Sequence, residues 1–448
     1  MNGALAEEQR DEDGIAPYSP ARRRYILGLL VLIYTLGFLD RQVINILAEP
    51  IKLDLGLGDG ELGALTGLAF ALFYTLLGVP IARLADRYDR SRVIAGSLAI
   101  WSSFTALCGA ATGFASLFAM RVGVGVGEAG CSPPAVSLIA DIVPRAKRAS
   151  AMAIYALGNP LGSLIGLAFG GIVAAQFGWR VAFLVAGLPG LAIALVVLTT
   201  LRDPRRDLPA AAAPPPKFGD ALKIIGGKPS FWLVGLGAAM MAFISYGKTA
   251  FYASFFLRNH ADGLASASAA IEAATGIALK PIGLLGLLLG ILLGTAGGCG
   301  VMLGGWLADR AGRRDIRGYM TAPSLAAIAQ IPFFVAALYV DNLWLSLGLL
   351  CVPGILTAFW FGPVFATITG LVPARARSMA GALLQLVINI IGLGFGPLTV
   401  GLISSALSDQ AGDGDSLRMA LAICSLAGLL AAGFFHAARR YLARDMIS

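Results

Sequence analysis

The chain alternates long apolar stretches with short polar ones. A membrane-spanning helix needs about 20 mainly apolar residues. Twelve stretches reach that length: 25–47, 61–83, 93–112, 114–140, 149–175, 179–200, 231–257, 282–307, 318–339, 343–370, 378–405 and 417–438. Gly and Pro are tolerated inside such helices, where neighbouring helices re-satisfy freed backbone groups. Pro80, Pro134, Pro160 and Pro363 therefore predict kinks rather than loops. The pattern predicts an all-α integral membrane protein. It divides into a polar tail (1–24), six helices (25–200), a linker (201–230), six more helices (231–440) and a short tail (441–448). The linker carries an Ala/Pro-rich run from Ala210 to Pro216, and a short amphipathic helix is expected around 217–226.

Composition agrees. Charged residues make up 13% of the 448 residues, against about 25% in soluble domains, and mean hydropathy is +0.77. The net charge of +8 invites a nucleic-acid reading, but the basic residues do not form a patch. With the N-terminus in the cytoplasm, 26 of the 34 Lys and Arg residues fall on that side. Five fall on the other (Lys52, Arg180, Arg258, Lys280, Arg418) and three in mid-helix (Arg41, Arg121, Lys248). This is the positive-inside asymmetry. Both termini are expected in the cytoplasm, with a bacterial inner membrane as the location. Five cysteines without CxxC spacing and two histidines, His260 and His436, offer no metal set, disulfide framework or acid-base enzyme.

The chain also repeats itself. Leu84-Ala-Asp-Arg87 recurs as Leu307-Ala-Asp-Arg310, 223 residues on, and the Pro134 to Ala151 stretch recurs from Pro363, 229 residues on. Each half thus has six helices in one orientation, a parallel repeat about an axis along the membrane normal.

Two six-helix halves with GxLADRxGRR-like loops resemble the major facilitator superfamily. The pattern Phe38-Leu39-Asp40-Arg41, with Arg121-Val-Gly-Val-Gly-Val-Gly-Glu128-Ala129, is most similar to its spinster members, sphingolipid and lysolipid transporters. The first loop departs from the motif at Ala82 and Asp89, and Asn159 departs from the antiporter signature at Gly158–Gly162. The resemblance implies that the loop residues Asp86, Arg87, Arg90, Asp141, Asp309, Arg310 and Arg313 latch the halves together on the cytoplasmic side. Topological anchoring by positive charge is the plainer alternative.

Ionisable groups at mid-membrane cost about 2.5–3.5 kcal/mol or more and mark function by default. Asp40 and Arg41 lie about 24 Å along the first helix at 1.5 Å per residue. Glu128 lies near the middle of the fourth, with Arg121 seven residues earlier on the same face. Two acids and two arginines can trade partners, so that protonating Glu128 or Asp40 frees an arginine. Asp40, Glu128 and Arg121 are the expected proton-coupling residues, and a static salt bridge between two helices is the alternative. Arg41 also matches an anionic headgroup, since its planar fork fits phosphate or carboxylate. For Arg121, snorkelling is the alternative; for Lys248, a cavity cation and a snorkelling residue both remain. Gln385 and Asn389 share a face and serve either substrate or helix packing, and Phe359 and Trp360 are candidates to line a cavity. The expected ligand is a small amphipathic anion, with membrane lipids as surroundings, no nucleic acid, no cofactor beyond the proton gradient, and a monomeric state. A drug or organic-anion transporter, or a passive scramblase, is the alternative.

Gly125-Val-Gly127-Glu-Ala-Gly130 matches GxGxxG, but a dinucleotide site needs that motif between a strand and a helix start. Inside a spanning segment its glycines predict close helix packing. No GxxxxGK[ST] sequence is present to bind ATP.

Overall fold

A computed structural model of the chain describes residues 18–144, 147–204, 225–313, 315–373 and 376–446. The expected helix at 217–226 lies almost wholly outside them. Among the described residues every regular element is helical, and the spans follow the apolar stretches. α1 is Pro20–Leu55, α2 is 59–87, α3 is Arg90–Cys108, α4 is 114–142, α5 is 148–177 and α6 is Trp179–Thr200. α7 is Pro229–Asn259, α8 is Pro281–Gly312, α9 is Ile316–Tyr339, α10 is Leu343–Leu371, α11 is 377–411 and α12 is 413–445. The last two are separated by a single residue. Gly412, at φ 75°, takes a left-handed conformation that other residues avoid, and there the chain turns back.

Local chemistry sets the ends. α1 starts earlier than its apolar stretch, because Ser19 accepts from the Arg22 amide as N-cap and Pro20 occupies the first turn. It ends at Gly56, φ 65°, whose amide donates to the Lys52 carbonyl. A helix absent from the sequence prediction, Ala261–Thr275, joins α7 to α8. Its Ala- and Ser-rich composition is too short and too polar to register as a span.

The repeat is visible in the breaks. α4 is interrupted between Glu128 and Ser132, and α10 between Leu356 and Phe361. Pro134 and Pro363 occupy the first turn of the segment that restarts. Pro160 likewise follows a break at Leu157, whereas Pro80 sits inside an unbroken helix. After each restarted segment an arginine returns to a carbonyl near its end: Arg148 to Val143 and Arg377 to Thr369, both at 3.1 Å. The glycines of α4 pack as expected. A Cβ at Gly125 would stand 2.6 Å from the Phe70 carbonyl oxygen, and one at Gly127 2.5 Å from the Trp101 amide.

Buried apolar side chains gather into three clusters that reveal the overall arrangement. One joins both halves, with Val43, Ile46, Leu47 and Phe183 from the first and Phe251, Phe255, Leu285 and Leu417 from the second. The other two belong almost wholly to one half each: Ile26, Leu98, Leu138 and Val197 in the first, Phe231, Val364, Leu384 and Phe435 in the second. The halves therefore share a core at one end only. That end holds Lys52, Arg180, Arg258, Lys280 and Arg418, each bonded to a neighbour there; it is the far end. The other, where α1 and α7 begin, is the basic end.

Small residues let the shared end close. On one seam, α2 meets α11: a Cβ at Gly63 would collide with the Pro397 carbonyl, and one at Gly67 would stand 2.7 Å from that of Gly394. Both stretches, Ala64–Leu68 and Asn389–Gly394, are wound as π-helix. On the other seam, α5 meets α8 through Gly171, Gly286 and Gly290. Further along α8, Gly297, Gly298 and Gly305 have nothing within 4 Å of a Cβ position, and Met302 and Trp306 are exposed. The halves part toward the basic end.

Candidate functional site

The first-half charges converge where the shared core begins. Arg41 of α1 grips Glu128, at the end of the first segment of α4, through Nε at 2.8 Å and a terminal nitrogen at 2.6 Å, both to Oε2. Its guanidinium also lies against the rings of Phe38, Phe70 and Tyr74, with centroids 5.0, 4.6 and 4.6 Å away. Asp40 turns the other way, and its Oδ2 accepts from the Thr105 hydroxyl of α3 at 2.8 Å. Arg121 lies over Phe70 at 5.5 Å and within electrostatic range of Asp40 and Glu128. Asp40, Arg121 and Glu128 are 2%, 1% and 4% exposed.

The cluster balances in charge, with two acids and two arginines, but not in hydrogen bonds. Asp40 Oδ1, Glu128 Oε1 and Arg121 Nε are buried with no hydrogen-bond partner among the described residues. Such atoms are costly to keep. They also leave room for an alternative pairing in which Arg121 takes up a carboxylate that Arg41 has released. Glu128 and Arg41 line a small cavity with Tyr34, Phe38, Trp101 and Tyr155.

Sequence reasoning missed the hydroxyls. Tyr34 and Tyr74, and Tyr246 from the second half, lie within electrostatic range of Arg41. Tyr246 packs against the separate cores of both halves. Tyr34 is seven residues before Arg41, on the same helix face, which was a usable signal; Thr105 and Tyr246 carried none.

The other predicted residues lie elsewhere. Lys248 donates to Gln330 of α9 at 3.0 Å and lies 4.7 Å from the Phe334 centroid, so it is buried between α7 and α9 within the second half. Neither a cavity cation nor a snorkelling residue describes it. Phe359 and Trp360 are buried at the α10 break, where the Phe359 backbone closes on Gly304. Asn389 is buried in the π-helical stretch, while Gln385 is exposed.

The loop motif makes its contacts inside each half. Arg90 holds Asp203, just after α6, through its amide at 2.8 Å and its guanidinium at 2.7 Å, Asp141 of α4 at 2.6 Å and Ser137 at 2.8 Å. In the second half Asp309 accepts from Tyr319 at 3.3 Å and Arg310 lies 5.9 Å from the Trp306 centroid. Arg87 and Arg313 are exposed. The side chain of Asp86 lies outside the described ones. Among the described residues these loop contacts stay within one half each.

The match of residues 30–397 to the Major Facilitator Superfamily model decides the family. The chain belongs to the major facilitator superfamily. It is 33% identical to an MFS-type efflux pump of Mycolicibacterium smegmatis over 441 residues, covering 98% of this chain and 97% of the pump. Mouse protein spinster homolog 1 is 27% identical over 444 residues, covering 94% and 81%. Among solved structures, a bacterial homolog of the human lysosomal transporter spinster, inward-facing and unoccupied, superposes with a TM-score of 0.84 at 30% identity, covering 96% of this chain and all of the homolog. The major facilitator fold and these relatives make the chain an integral, multi-pass membrane transporter of spinster type, not an enzyme.

Proposed function

We propose that this transporter is a proton-coupled secondary transporter that works by alternating access, and that it carries an amphipathic anion such as a lysolipid. The carrying observation is the Arg41–Glu128 pair beside two buried carboxylate oxygens that lack partners. A proton on Glu128 removes half of the pair and leaves the Arg41 guanidinium seated on three aromatic rings. There it can take a phosphate or carboxylate, for which its fork is suited. The aromatic surroundings suit the apolar part of the same ligand. The resemblance of the Phe38–Arg41 and Arg121–Ala129 patterns to the lysolipid-carrying spinster members supports the lipid class. The energy comes from the proton gradient, with no bound cofactor, and the working unit is a monomer in contact with membrane lipids. Both termini lie in the cytoplasm of a bacterium and the chain resides in its inner membrane, in keeping with the basic residues crowding one end.

A second reading, export of drugs or organic anions, is favoured by the identity to the efflux pump. One experiment separates the two. Purified protein in liposomes is offered lysolipids, organic anions and amphipathic drugs, with and without an imposed pH gradient. The first reading predicts gradient-stimulated movement of lysolipid. Stimulation for drugs alone selects the second, and transport of lipid indifferent to the gradient contradicts both.

A further inference from the structure

The far end carries a second buried ionic cluster, and it bridges the halves. Arg258, at the last turn of α7, meets two carboxylates of the first half. Its Nε lies 2.9 Å from each oxygen of Glu49 in α1, and one terminal nitrogen lies 2.7 Å from Glu49 Oε2. Its two terminal nitrogens each reach an oxygen of Asp59, in the first turn of α2, at 2.8 Å. The Asp59 carboxylate also accepts from Ser404 of α11 at 2.6 Å and pairs with Lys52 at 3.1 Å. Lys52 in turn reaches across to Asp413 at 2.7 Å, and Arg258 donates to the Asp413 carbonyl at 3.2 Å. The side chains of Arg258 and Asp59 are 8% and 4% exposed. Beside them the Gly60 amide donates to the Ser405 hydroxyl at 2.9 Å, and the Gly401 backbone packs on the Asp59 carbonyl.

We infer that Arg258 is the bolt of a far-end gate, holding α7 of the second half to α1 and α2 of the first, and that its release from Glu49 and Asp59 is required for the molecule to open at that end. One guanidinium here satisfies two carboxylates from two different helices, and all of its nitrogens are used. A lysine keeps the charge but offers a single point of attachment in place of the fork. Parting the halves takes from Glu49 its Arg258 contacts and leaves Asp59 with Lys52 and Arg258 with the Asp413 carbonyl. The charges therefore favour the closed end strongly and reward opening poorly. The role of the gate in transport rests on the alternating-access reading; its existence does not.

Spin labels test it in lipid nanodiscs on a background in which the five native cysteines (Cys108, Cys131, Cys299, Cys351 and Cys424) are replaced by Ala or Ser. One pair, Leu53→Cys with Asp415→Cys, spans the far end; another, Arg92→Cys with Arg317→Cys, spans the basic end. All four positions are exposed. The unaltered background should give one short far-end distance. Arg258→Gln should add a longer far-end population, raising the ratio of open to closed about tenfold, equivalent to about 1.4 kcal/mol. Arg258→Lys, which spares the buried acids an uncompensated loss of charge, should shift it in the same direction by less and serves if the Gln variant does not fold. Unchanged far-end distances in the folded variants overturn the gate while leaving alternating access intact. A far end that opens without the basic end closing supports the gate and overturns alternating access.

Discussion

Two buried ionic clusters sit about 12 Å apart along α1, eight residues from Arg41 to Glu49 at 1.5 Å per residue, and they differ in how they are finished. At the far end, Arg258 spends every nitrogen on Glu49, Asp59 and the Asp413 carbonyl, and the partners come from both halves. In the middle, Arg41, Glu128, Asp40 and Arg121 all belong to the first half, and three of their polar atoms have no partner among the described residues. A saturated cluster has one good arrangement, which suits a lock. An unsaturated one has several of similar energy, which suits a part that must change state. Burial is common to both, so burial does not tell them apart; the completeness of their hydrogen bonds does.

That contrast can be broken at graded strength. The largest effect is expected from Glu128→Gln, which keeps the shape but cannot take up or release a proton. Gradient-driven transport in liposomes should fall at least about a hundredfold, while the size-exclusion profile stays that of folded protein; the unfolding temperature falls as Arg41 loses its ion-pair partner, and its three aromatic faces soften that loss. Next, the double change Glu49→Gln with Asp59→Asn leaves Arg258 without a carboxylate. Breaking a buried pair by removing one side costs about 3–5 kcal/mol, and the loss should appear as a lower unfolding temperature in detergent. Thr105→Val removes the hydrogen bond that Asp40 Oδ2 accepts. A hydrogen bond to a charged group is worth about 1.5–3 kcal/mol, so transport should fall about tenfold with little change in expression or stability. The smallest effect belongs to Lys248→Met. It fills the same space between α7 and α9 without the charge, and transport should stay within about twofold. A severe transport defect there would mean that the second half takes part in the chemistry.

Much of this was legible in the sequence, for a physical reason. Lipid removes charge from the spans, so Asp40, Arg41, Arg121 and Glu128 stand out against an apolar background, and the structure brings them together. The repeat was legible because Pro134 and Pro363 mark the same break in α4 and α10. The far-end cluster was not. Glu49, Asp59 and Arg258 sit at helix ends, where solvated charges are ordinary, and only the docking of the two halves turns them into a buried bridge. Lys248 shows the converse: it stood out as a mid-span charge, yet it is packed against Gln330 and Phe334 away from the central cluster. The loop motif was expected to latch the two halves, whereas Arg90 ties α3 to α4 and to Asp203 within one half. Which half a contact joins is a tertiary fact that spacing along the chain does not encode.

The central claim is that the middle cluster carries the proton. Liposomes containing the protein and an entrapped pH-sensitive dye, with no imposed gradient, test it directly when a transported lysolipid is added. The account predicts a substrate-evoked pH change with the wild-type chain and none with Glu128→Gln. An equal pH change with both proteins, or transport by the wild type with no proton movement, would contradict it.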